Sequence, residues 1–118
     1  MKFQKNMPAA LAAVLALCLV TPLPAAADMT EAQIAAARTP AEHEAIAKAY
    51  EADAAAADAK AKEHEAMART YRSTGGPTSN TNSMVRHCER LVKDYTDAAA
   101  GYRALAAEHR GMAKDTAK

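Results

Sequence analysis

The sequence predicts an all-α protein, a short N-terminal helix followed by a long antiparallel helical hairpin that dimerises into a four-helix bundle. Three observations carry that expectation. Two long stretches keep apolar residues at a seven-residue spacing, one glycine–proline segment separates them, and the first stretch opens on a strong helix-start signal.

The first 27 residues have the three parts of a secretory signal peptide. Lys2 and Lys5 give a positive start, Ala9 to Val20 a compact apolar run, and Pro22-Leu23-Pro24-Ala25-Ala26-Ala27 a small-residue end before Asp28. The run is shorter than the roughly 20 residues a membrane span needs, and a helix-breaking Pro-Leu-Pro follows it. Leu17 stands where a small residue should precede a lipidated cysteine, which argues against lipidation of Cys18. Cleavage after Ala27 and a periplasmic address are therefore expected, with no transmembrane segment in the mature chain.

Losing that segment lowers the fifteen basic residues to thirteen against fourteen acidic ones. A balance near −1 is no electrostatic footprint for nucleic acid or an anionic membrane. Residues 28–118 then form one small domain, rich in alanine and poor in large apolar side chains. A chain of this size buries a modest share of its surface, so a homodimer or a helical protein partner is expected.

Residues 28–39 read as a short helix and linker, with Thr30-Glu31-Ala32-Gln33 as a capping box and the helix running to about Arg38. Thr39-Pro40-Ala41-Glu42 then opens the hairpin, residues 40–118. It supplies a cap, a proline at the first helical position and a glutamate three residues after the cap. Nothing breaks a helix from there to Arg72. Glu44/Lys48, Asp58/Lys62 and Glu65/Arg69 are acid-before-base pairs one turn apart. The turn is expected at 73–80, and the second helix from Thr81–Ser83 to about Ala113, with Gly101 allowing close helix approach.

A seven-residue recurrence runs along both arms. His43, Tyr50, Ala57, His64 and Tyr71 mark the first, and Cys88, Tyr95, Tyr102 and His109 the second. This period implies a left-handed seam, which alanine lets close tightly. The arms are also mildly complementary in charge. Residues 40–73 hold seven acidic and five basic side chains, and residues 80–118 hold five and seven.

Glu42-His43-Glu44-Ala45-Ile46-Ala47 is echoed by Glu63-His64-Glu65-Ala66-Met67-Ala68 and, more faintly, from Glu108. Facing positions in an antiparallel pair have residue numbers of constant sum, and a turn centred near Gly76 sets it at about 152. His43 and His109 add to 152, and His64 and His87 to 151. All four histidines beyond the leader are thus expected in two cross-helix pairs. Met67, Met84 and Cys88 lie near the turn-end pair, and Met112 near the other.

Imidazole suits copper, zinc, iron and nickel, while thiolate and thioether favour Cu(I). The sequence therefore points to a copper site built from His64, His87, Cys88, Met84 and Met67, with a second group of His43, His109 and Met112. The competing expectation is a metal-free helical adaptor in which the methionines merely fill the seam and Cys88 is an inert small hydrophobe. Catalysis is not expected. No nucleophile–base pair is evident, and Glu42-His43, Glu63-His64 and Glu108-His109 are adjacent, about 100° apart on a helix, where a di-iron centre needs Glu-x-x-His.

Overall fold

The computed structural model describes residues 28–76 and 78–118, so the expected leader, 1–27, lies outside the described residues. Three helices follow in order: α1 (Glu31–Ala36), α2 (Pro40–Thr74) and α3 (Ser79–Thr116). No strand occurs among the described residues. The expected helical hairpin is α2 packed against α3.

Both capping boxes form. The Gln33 backbone N–H donates to Thr30 Oγ1 at 3.2 Å and the Thr30 N–H to Gln33 Oε1 at 2.8 Å. At α2 the Glu42 N–H donates to Thr39 Oγ1 at 3.2 Å, and the Thr39 N–H to Glu42 Oε2 at 2.9 Å. Glu42 also accepts from the Arg38 N–H at 2.7 Å, and these backbone bonds hold its carboxyl below the ordinary value. The box therefore ties the linker to α2 as well as capping it. Ala37, just after α1, and Ile46 are buried, while α1 itself buries no residue and borders an open groove with Glu42, Ala45 and Ile46 of α2.

The turn is tighter than expected. α2 continues to Thr74, and α3 starts at Ser79 because Thr78 caps it, its Oγ1 accepting from the Thr81 N–H at 3.2 Å. Composition marked 73–80 as loop, yet Ser, Thr and Asn also serve as first-turn and capping residues. Gly76 takes φ +50°, where an L side chain is strained. Gly75 is needed for space. A Cβ there would clash with Thr81 Cγ2 and lie 2.6 Å from the Tyr71 carbonyl oxygen, and the Gly75 carbonyl accepts from Thr81 Oγ1 at 2.8 Å.

The seam is a stack of small side chains. Ala47, Ala54, Ala61 and Ala68 of α2 are buried, as are Ala99 and Ala106 of α3. Each buries little area, so close backbone approach and dispersion must supply much of the cohesion. Aromatic rings fill the wider layers beside them. Tyr50 stacks on Tyr102 with centroids 6.3 Å apart, and Tyr95 and Tyr102 cover the cluster of Ala54, Ala57 and Ala99. Gly101 takes no part in this approach, since a Cβ there would meet nothing within 4 Å.

One face of the hairpin is laced by charge. Arg72 pairs with Glu89, Arg103 with Asp58, and Arg110 with both Glu51 at 2.6 Å and Glu44 at 3.7 Å. Of the three expected pairs within α2, Glu65–Arg69 forms at 3.9 Å. Glu44 and Asp58 instead reach across to the arginines of α3, where the complementary charge of the two arms is used.

Candidate functional site

The register sets one layer every seven residues along the seam. His43 faces His109, Tyr50 faces Tyr102, Ala57 faces Tyr95, and the next pair with numbers adding to 152 is His64 and Cys88. Side chains also lean into the neighbouring layer. The Tyr50 ring lies 5.8 Å from that of His109, and the Tyr95 ring 5.6 Å from that of His64.

At the open end of the hairpin the expected pair is present. His43 Nδ1 and His109 Nδ1 are 3.2 Å apart, and the residues are 7% and 8% exposed. One ring donates its Nδ1–H and the other accepts on a lone pair, so the two hold different tautomers or charge states. Burial, and next the charge of His43, push the His109 imidazole below its ordinary value of 6.5, with Glu108 opposing. His109 is thus biased toward the neutral ring, the form that ligates metals. Met112 is one turn beyond His109 and is 45% exposed.

The turn end is arranged differently. His64 is half-buried and stacks on Tyr95 with an interplanar angle of 11°, and its buried Nδ1 has no hydrogen-bond partner. Cys88 is a free, buried cysteine. His87 is exposed, and no hydrogen bond or ring contact joins it to His64. The one-residue difference between sums of 151 and 152 explains this. Adjacent helical residues point about 100° apart, so either His87 or Cys88 can face the seam, and the apolar thiol takes that place. Met84 is exposed and Met67 half-buried.

The expected group of five donors near the turn is therefore divided between the seam and the surface. Among the described residues no three or more His, Cys, Asp or Glu side chains gather closely enough to hold a metal ion. What the fold does bring together is a pair of imidazoles in one layer; His64 and Cys88 share a level by register, and no hydrogen bond joins them. Tyr95, the ring neighbour of His64, was not among the expected site residues. Its seven-residue spacing from Cys88 and Tyr102 was the available signal.

No helix among the described residues is long and apolar enough to cross a membrane. No protein family, curated protein or solved structure matches the chain.

Proposed function

We propose that the protein is a periplasmic transition-metal-binding hairpin, with copper as the preferred ion and His43 and His109 as its principal ligands. The observation that carries this reading is the meeting of two buried imidazoles at Nδ1, 3.2 Å apart. Two nitrogens bound tetrahedrally at about 2.0–2.1 Å from one ion lie about 3.3 Å apart, so the rings already stand near a metal bite. Binding requires the donating ring to move its proton to Nε2, which frees both Nδ1 lone pairs. The thioether of Met112 supplies a soft third donor that favours Cu(I) over zinc. The unpartnered Nδ1 of His64, opposite Cys88, supports a weaker second position of nitrogen and sulfur.

Elemental analysis of periplasmic protein, followed by Cu(I) competition against a weak chelator, tests the reading. One copper per chain is expected, lost in His43→Gln and weakened several-fold in Met112→Leu. His87→Gln should bind as the parent does. A parent protein that cannot compete with the chelator would sink the proposal.

A second reading, a metal-free helical adaptor of the envelope, is favoured by the apolar stripe that α3 leaves exposed. It expects the His43→Gln protein to retain full function in the cell.

A further inference from the structure

Opposite the arginine lacing, α3 leaves an open apolar stripe, while the α2 side of that face carries Asp53 and Lys60. The stripe carries Met84, Leu91, Ala98, Leu105 and Met112, one residue every seven, on the edge beside the seam. Met84, Leu105 and Met112 are 39%, 37% and 45% exposed, and they are the exposed large hydrophobics of the described residues. A groove lined by Asp53, Ala57, Lys60, Tyr95, Ala98 and Tyr102 runs beside the middle of the stripe. A side-by-side helix pair has no use for such a stripe, because its own seam is already filled.

The stripe reads the same in both directions: Met, Leu, Ala, Leu, Met. We propose that a second copy of this chain docks here, α3 against α3 in antiparallel, about a two-fold axis at Ala98. Such an axis makes the interface isologous, with each patch facing itself reversed. Met84 then meets Met112 of the second copy, Leu91 meets its Leu105, and the two Ala98 side chains touch at the axis. The seven-residue spacing keeps all five contacts on one line along the pair.

The neighbouring stripe fits the same axis. His87, Asp94, Gly101 and Glu108 follow one another beside the apolar residues. The two-fold sets the His87 imidazole beside the Glu108 carboxylate of the second copy and Asp94 beside its Gly101, so no two carboxylates face each other. Gly101 has no steric reason within the hairpin. One turn from the axis, it leaves room for the second helix, where a side chain would stand in the way.

The contact is long and narrow. From Met84 to Met112 the stripe covers about 42 Å at 1.5 Å per residue, and a helix with side chains is about 10 Å wide. Each copy therefore buries about 400 Å² on α3 alone, and Met67 with the edges of Tyr95 and Tyr102 adds to it. The total falls near the lower bound of about 1,000 Å² for a specific interface, which predicts a reversible dimer of moderate affinity. This surface shares Met112 with the proposed metal position, and Leu105→Glu, which leaves His43, His109 and Met112 in place, tests it separately.

Cross-linking at the axis tests it on the full chain carrying Cys18→Ser and Cys88→Ser. Ala98 is exposed, so Ala98→Cys leaves the fold intact, which circular dichroism checks. Under mild oxidation it should form a disulfide dimer at least ten-fold faster than Ala100→Cys, which lies on another side of α3. Sedimentation of the parent at tens of micromolar should show a dimer, and Leu105→Glu should shift it to monomer with helicity retained. A monomeric parent, or a dimer untouched by Leu105→Glu, overturns the docking surface. A dimer that Leu105→Glu dissociates but Ala98→Cys fails to trap overturns the two-fold at Ala98.

Discussion

The two ends of the hairpin use similar residues to opposite effect. Far from the turn, His43 and His109 share a layer, are buried and bond to each other. Near the turn, His64 stacks on a tyrosine and leaves Nδ1 without a partner at the level of the buried Cys88, while His87 stands in solvent. A displacement of one residue in register separates these outcomes. In a helical hairpin, proximity along the axis brings residues to the same level, and only the seven-residue stripe decides whether they meet.

The sharpest way to break this comparison is to remove one histidine from each end. His109→Leu leaves the buried Nδ1 of His43 without a partner, and such an orphaned group costs about 1–3 kcal/mol. Chemical denaturation should show that loss, whereas His87→Leu should stay within about 0.5 kcal/mol of the parent. Equal losses would contradict the assignment of one pair as buried and the other as split.

Acid should act on the same end. The folded value of His109 lies below its ordinary 6.5, so above that pH the unfolded and folded chains bind the same protons there, and the contribution to stability is complete. Below 6.5 the unfolded chain takes up a proton that the folded chain resists, and stability declines as the pH falls toward the depressed value. The metal-free melting temperature should therefore drop on acidification from pH 7 to 5. His109→Leu should flatten that part of the profile.

Smaller effects belong to the middle of the molecule. Gly101→Ala should stabilise the isolated hairpin by up to about 1 kcal/mol, because no neighbour opposes a Cβ there. In the paired state it should weaken association, a split that thermal melts across a dilution series would detect. Arg103→Ala should cost less than about 1 kcal/mol, and salt should shrink the difference, since its bond to Asp58 is exposed.

Much of this fold was legible because local signals agreed. Thr39-Pro40-Ala41-Glu42 marked a helix start and forms the capping box it implied. Gly75 and Gly76 marked the turn, and each has a physical task there. The far-end pair followed from a constant sum, because 43 and 109 also share the seam stripe. The turn end differs from the expectation because a constant sum fixes the level of His87 and not the stripe it occupies. Cys88, not His87, recurs with Tyr95, Tyr102 and His109. The arginine lacing was less visible, since Glu44 and Asp58 had acceptable partners on their own helix and tertiary geometry chose others.

The meeting of His43 and His109 is the centre of this account, and imidazole nitrogen NMR reads it directly. In metal-free protein at pH 7 the two Nδ1 signals should show one protonated and one bare nitrogen, joined by a hydrogen bond. Stoichiometric Cu(I) should move both Nδ1 signals together, abolish that proton, and leave His87 unaffected. Copper that shifts His87 first, or leaves the His43–His109 proton in place, would contradict the proposed site.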